Sequence, residues 1–408
     1  MMHILIVADG RSPITRRWIQ TILFFHCRVS LLSTFPCQPI DKVNLAGILP
    51  VAFSSLAGSQ VGSATQPQDK NKPKSRLAAL RPFLQNLRYT LGPLTLLFYF
   101  SQFKKIVRVL KPDIVHALRI PFEGMLSSWL PKEIPLLIST WGNDLTLHAR
   151  GSTLMGYFTR RTLKRADGLI SDTLRDIRLA REWGLNPEAP VLEVPGNGGI
   201  DLLEIESIEN QDRPDPEFLE KNSPLIINPR GFRPGSVHQE VFFQSIPLVL
   251  KELPNAQFVC TGMIGQKEAL DWLNQLRIGN HVALLPYLSQ IELWNYFLRA
   301  QVYVSVSSHD GTPNTLLEAM ACGCLPVCGD IESIREWIIS GENGLLVDPQ
   351  DPQAVANAII NACQDKVLQE KSKKLNREII CNKAEVSVVR KKMESFYKEF
   401  IHKELKDG

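Results

Sequence analysis

No stretch of the 408-residue chain is apolar for long enough to cross a bilayer. Its most apolar later run, LGPLTLLFYF (91–100), is half the length of a membrane span. The opening MMHILIVADG has no basic lead-in, and its apolar run stops at Asp9. It is therefore expected to be a buried first strand rather than a signal peptide, placing the protein in the cytoplasm. No G-x-G-x-x-G follows any strand-like run, which argues against a dinucleotide-dependent dehydrogenase. Paired C-x2-C spacing is also missing. Cys322, Cys324 and Cys328 fall as C-x-C-x3-C with His309 nearby, and this pattern suits buried thiols better than zinc ligands.

One stretch lacks a whole sign of charge. Residues 70–111 hold ten Lys/Arg and no Asp/Glu, with leucines and aromatics between them. This composition fits an amphipathic surface on anionic lipid, or equally an ordinary solvated helix pair with one basic face. No nucleic-acid motif accompanies the charge, so nucleic acid is not an expected partner. The halves differ as well: residues 1–200 carry 25 Lys/Arg against 13 Asp/Glu, and residues 201–408 carry 21 against 29.

What is present is a regular alternation. Short β-rich runs (HILIVA, RVSLLS, DIVHAL, PLLIST, DGLISD, VLEVP, then PLIINP, QFVCTG, HVALLP, VYVSVS, CLPVCG, NGLLVD) are separated by longer helical patterns. Such alternation predicts parallel sheets covered on both faces. The length suits two domains. The predicted boundaries are an amino-terminal Rossmann-like domain over 1–198, a second over 199–375 and a charged helical end over 376–408 that packs back on the first. Residues 195–216 read as linker, and 54–75, small and polar, as a loop.

The stretch SSHDGTPNTLLEAMACG (307–323) sets Asp310 and Glu318 eight positions apart around the start of a helix. The loop follows the strand VYVSVS, at the edge where open α/β sheets bind ligands. Thr312 is expected as N-cap and Pro313 as the first helical residue. The first-turn amides, around Gly311, Thr312, Asn314, Thr315 and Leu316, would then suit a phosphate. Glu318 lies too deep to cap the helix, but a carboxylate there can accept both hydroxyls of a vicinal diol. Asp310 can do the same for a second sugar. Two sugars flanking a diphosphate describe a nucleotide sugar.

D-x7-E followed by AMACG resembles the E-x7-E donor motif of family 4 glycosyltransferases, which have the GT-B fold of two Rossmann-like domains facing an interdomain cleft. The resemblance assigns Asp310 to the transferred sugar and Glu318 to the ribose. INPRG (227–231) is similar to the segment carrying the family's diphosphate-binding arginine, here Arg230. CTGMIG, HVALLPYLSQIELWNYF and SGENGLLVDPQDPQAVANAI match later blocks in order. Where the family usually has a lysine opening the next helix this chain has His238, with Arg233 as a second source of charge. In the first half, backbone near Gly10 would face the sugar phosphate. DIVHALR keeps His116 of a His-x-His strand end but has Leu118 in the second place, and His116 is carried as a catalytic candidate beside Arg230 and Asp310. STWGNDLT brings Asp144, and the strand end brings Arg119, as acceptor-side candidates.

The resemblance implies sugar transfer with retention of configuration, no metal and no other cofactor. The absence of any D-x-D, the usual holder of a divalent ion in such transferases, agrees with that. The expected partners are a nucleoside diphosphate sugar and a saccharide or lipid-linked acceptor. The competing expectation is a catalytically silent GT-B protein serving as a nucleotide-sugar-binding scaffold.

Overall fold

The computed structural model describes residues 1–54, 88–211 and 223–402. The loop expected over 54–75 and the first part of the basic stretch, 70–87, lie outside the described residues beyond Ser54. The chain divides into two compact units, 1–198 with 389–408 and 199–388.

Among the described residues the first unit has a seven-stranded parallel sheet. Its strands are β1 (His3–Ala8), β2 (Arg28–Ser33), β3 (Asn44–Ile48), β4 (Ile114–Ala117), β5 (Leu136–Thr140), β6 (Gly168–Ser171) and β7 (Val191–Glu193), in the order β3-β2-β1-β4-β5-β6-β7. The second unit has six parallel strands: β8 (Leu225–Asn228), β9 (Gln257–Cys260), β10 (Val282–Leu284), β11 (Val302–Ser305), β12 (Leu325–Gly329) and β13 (Leu345–Val347). Their order is β10-β9-β8-β11-β12-β13. Both units are doubly wound, with strand order reversing between β1 and β4 and between β8 and β11. At such a reversal neighbouring loops leave in opposite directions and open a crevice at the carboxyl edge. Each β-rich run named from the sequence forms a strand. The additional one, β3, is an edge strand whose NLAGI residues are partly exposed and do not alternate, so it carries no period-two signal.

Helix α1 (Pro13–Leu23) begins as its sequence requires. The Ser12 side chain accepts from the Thr15 amide, and Pro13 occupies the first position, where no N–H is needed. Two elements correct the sequence reading. The expected linker over 195–216 contains a helix, Leu202–Glu209, capped by Asp201. The charged carboxyl end begins earlier than 376, as one helix over Lys366–Lys383 followed by another over Val386–His402. In the last helix Val389, Met393, Phe396, Tyr397 and Phe400 are buried and recur at helical spacing. They join Ile4, Ile6, Ile114 and Leu137 in one apolar cluster of the first unit. Their heavily charged surroundings hide this stripe from a composition-based reading.

Candidate functional site

The second unit's reversal point is built by the loops after β8 and β11. Asn228 ends β8; its side-chain oxygen accepts from the Arg230 amide at 3.2 Å, while its Nδ2 donates to Gln239 Oε1 at 2.7 Å. Gln239 Nε2 in turn donates to the Gly231 carbonyl at 2.6 Å. This clamp fixes the turn in which Gly231 takes a φ of +58°, a left-handed value that suits glycine. Gly262, after β9, is needed for a different reason. A Cβ there would lie 2.6 Å from the ring of Tyr287.

The clamp aims Arg230 at the second loop. Its guanidinium is buried, pairs with the Asp310 carboxylate and donates to Thr315 Oγ1 at 3.3 Å. Tyr303 on β11 backs Thr315 from below, with the two hydroxyls 3.1 Å apart. Burial alone would lower the arginine's pKa, but Asp310, the largest favourable influence, raises it, so the charge is secure. Its Nε–H is buried without a hydrogen-bond partner among the described residues. Arg233 keeps contact with solvent, and its guanidinium is lowered first of all by the neighbouring Arg230 charge. Two like charges held close together are relieved by an anion.

The helix beyond, α2 (Asn314–Cys322), starts one residue differently from the expectation. Pro313 is its N-cap, and Thr312 does not cap it. The Thr312 hydroxyl is instead turned to Trp337, whose Nε1 donates to it at 3.0 Å. The amide of Gly311 is taken by Asp310 Oδ1 at 3.0 Å, and that of Leu316 by the Pro313 carbonyl at 2.9 Å. The amides of Asn314 and Thr315 have no protein acceptor among the described residues, as the first turn of a helix dictates. Glu318 is buried, and Gln290 Nε2 donates to its Oε1 at 3.0 Å. Leu316, Leu317, Ala319 and Met320 are fully buried and anchor the helix. His238 is the N-cap residue of the helix Gln239–Glu252, tied to the end of β11 by its amide on the Val306 carbonyl at 2.8 Å. Its Nε2 is buried and has no partner among the described residues. The second unit thus gathers Arg230, Arg233, His238, Asp310, Thr315 and Glu318 around one sheet edge.

The first-unit candidates fall differently. His116 lies within β4, fully buried, with Nδ1 2.6 Å from the Tyr397 hydroxyl and Nε2 2.8 Å from Ser139 Oγ. Burial pushes its pKa down to about 3. Both nitrogens are committed inside the core, so the expectation of a catalytic histidine is corrected: His116 is a packing residue. Gly10 is also corrected. Its amide donates to Ser33 Oγ at 3.1 Å and is not presented to a phosphate, and a Cβ there would meet Cys37 Sγ at 2.6 Å. Asp144 is fully buried and accepts from Arg119 Nε at 3.1 Å and from the Ile120 amide at 3.3 Å. It is an anchor, and Arg119 is the partner that reaches solvent. Cys322, Cys324 and Cys328 are buried, and burial raises their thiols.

Sequence reasoning missed Gln290, Gln239 and Tyr303. Each acts by supporting a site residue from another element, and only their positions in the matched blocks offered a signal.

Comparison with known proteins follows the same division. The family described as glycosyl transferases group 1 matches residues 211–380, and that described as glycosyl transferase 4-like matches residues 56–173. An O-antigen chain mannosyltransferase B from Escherichia coli is 32% identical over 89 residues, covering 22% of this chain and 23% of its own length. A capsular polysaccharide biosynthesis glycosyltransferase from Staphylococcus aureus is 20% identical over 235 residues, covering 57% of this chain and 61% of its own. Both alignments therefore span less than two thirds of the relative. The structure of Anabaena HepE in complex with UDP-glucose superposes with a TM-score of 0.67 at 14% identity, covering 98% of this chain and 100% of that one.

Proposed function

Given a chain that belongs to the family 4-like glycosyltransferases of the GT-B fold, we propose that it moves a hexose-type sugar from a nucleoside diphosphate sugar to a saccharide or lipid-linked acceptor. Configuration is retained and no metal takes part. The observation that carries this reading is the Arg230 guanidinium, held against Thr315 and Asp310, at the helix start where the amides of Asn314 and Thr315 have no acceptor among the described residues. A diphosphate supplies the acceptor for these amides, and charge-assisted bonds of this kind are about twice as strong as neutral ones. Glu318 then accepts the ribose hydroxyls, and Asp310 those of the transferred sugar. The acceptor oxygen bonds to the anomeric carbon as the bond to phosphate breaks, and the departing diphosphate takes the acceptor's proton. Arg230, Arg233 and the helix amides stabilise the charge that appears on the leaving group.

The capsular and O-antigen names of the relatives favour an acceptor in surface-polysaccharide synthesis, at the inner face of a membrane. No helix among the described residues is long and apolar enough to cross one. A surface for peripheral contact is available in the helix Leu96–Leu110 and the turn before it. There Leu91, Leu94, Leu97 and Phe98 are exposed, at 46, 41, 58 and 80%. They lie in the same stretch as Lys104, Lys105, Arg108 and Lys111. An apolar edge with neighbouring cations suits an anionic interface.

A silent scaffold is the competing reading, favoured by His238 standing where the family has lysine. Donor hydrolysis separates the two. Purified protein is incubated with UDP-, GDP- and ADP-sugars, with and without chelator. Slow, chelator-resistant hydrolysis of one donor, lost in Arg230→Ala, is expected. Tight binding without turnover, even with membrane extract as acceptor, would establish the scaffold instead.

A further inference from the structure

The first unit's reversal point holds a carboxylate that the donor site does not use. Directly after β4 the chain makes a wide turn, Ile120–Gly124, in which Phe122 has φ +66° and ψ −53°. A bulky residue rarely adopts this region, and such strain persists where a neighbouring group must be placed. Gly124 closes the turn because a Cβ there would lie 2.9 Å from the Arg119 carbonyl. The residue so placed is Glu123, 6% exposed. Its Oε1 accepts from Thr34 Oγ1 at 2.8 Å. A second hydrogen bond to the carboxyl comes from the backbone of Glu123 itself, which leaves lone pairs of the two oxygens for a further donor.

Two cations face it. Arg119 is held from behind by Asp144. Arg88 lies over the Phe122 ring, 4.9 Å from its centroid, and 5.7 Å from that of Phe35. Arg11 shares the Phe35 ring at 3.8 Å but is paired with Asp9. A carboxylate oxygen and two guanidinium edges over apolar floors form the donor–acceptor set that reads sugar hydroxyls.

We propose that Glu123, with Arg88, is an acceptor-binding subsite of the first unit: Glu123 accepts a hydrogen bond from an acceptor saccharide hydroxyl, and Arg88 donates to a neighbouring oxygen. The proposal rests on the glycosyltransferase reading and supplies the residues of its acceptor side. It also predicts a pH signature. Burial raises Glu123 to about 7, and the lowering influence of Arg119, Thr34 and Arg88 does not cancel that. His148, the other titratable group near Arg119 and Arg88, is lowered to about 4, mainly by burial, and stays neutral in this range. The accepting, ionised form of Glu123 therefore grows as pH rises through about 7, and acceptor affinity grows with it.

The test uses the full chain and octyl glucoside, mannoside and galactoside as probes, below micelle-forming concentration, with binding followed by saturation-transfer NMR between pH 6 and 8.5. Donor binding is measured in parallel. The expected result is a glycoside bound several-fold more tightly at pH 8 than at pH 6. In Glu123→Gln the pH dependence should vanish and affinity should stay at the weaker level, with donor binding unchanged. Arg88→Gln, at a half-buried position less critical to folding, should weaken glycoside binding roughly tenfold while keeping the pH dependence. Donor binding intact with no glycoside bound, or with wild-type pH dependence retained in Glu123→Gln, overturns the proposal. Loss of donor binding in the wild type would instead sink the functional reading beneath it.

Discussion

Both units place an Arg–Asp pair at the point where strand order reverses, and they bury opposite partners. In the first, the Asp144 side chain is 0% exposed and that of Arg119 35%. In the second, the Arg230 side chain is 3% exposed and that of Asp310 16%. The buried member differs in how well it is satisfied. Asp144 accepts from Arg119 and from the Ile120 backbone, whereas Arg230 keeps an N–H without a partner. A buried charge whose bonds are complete is a structural anchor, while one with a spare donor is a candidate binding group. The same pair of residue types thus serves stability in one sheet and, under the proposed function, recognition in the other.

The sharpest way to break this comparison is to remove each buried member. Asp144→Ala strips the partner from Arg119 and leaves backbone donors unmet, so it should lower unfolding free energy by about 3 kcal/mol in urea titration. Since Arg119 reaches solvent, a loss below 1 kcal/mol would show that the pair is no anchor. Arg230→Ala should instead act on turnover, cutting kcat/KM for the donor by at least about 100-fold. A Tm drop matching that of Asp144→Ala would erase the distinction.

Under the proposed role, Glu318→Ala should raise the donor KM roughly tenfold with a smaller change in kcat, since bonds to a ribose would be the same in ground and transition states. An unchanged KM would remove Glu318 from the donor site. Gly262→Ala, at φ +71° and against Tyr287, should cost about 1–2 kcal/mol. Pairing it with Tyr287→Ala should recover only the steric part.

His116 provides the most gradual effect, spread over several pH units. Its folded pKa, about 3, lies below the ordinary 6.5, so the unfolded chain binds the proton more readily. Stability is complete above about pH 6.5 and declines as pH falls from there toward 3. His116→Gln should flatten that part of the stability–pH curve. Unchanged slope would mean that His116 is not the buried neutral group described here.

The legible part of the molecule follows from local chemistry. Runs buried on both faces of a parallel sheet are near-continuously apolar, so β1 and β8 announce themselves, while the partly exposed edge strand β3 does not. Arg230, Asp310 and Glu318 were readable because a strand end, a helix start and a fixed spacing belong to one short stretch each. Thr312 shows the limit of that reading. Its type and place predict a cap, yet Trp337, 25 positions away, takes the hydroxyl and Pro313 becomes the N-cap.

The chain's own pattern therefore determined two doubly wound sheets and the residues that arrive at the second sheet's reversal point, because periodicity and helix starts are encoded within a few neighbours. Burial and partnership were decided only by the tertiary structure. His116 became a core residue because Tyr397, 281 positions away, and Ser139 close on its two nitrogens. Glu123 became a candidate binding group because burial and the charges of Arg119 and Arg88, 31 residues apart in the chain, act on one carboxyl after the turn at Phe122. Desolvation and charge pairing depend on which distant groups surround an atom, and no local spacing carries that information.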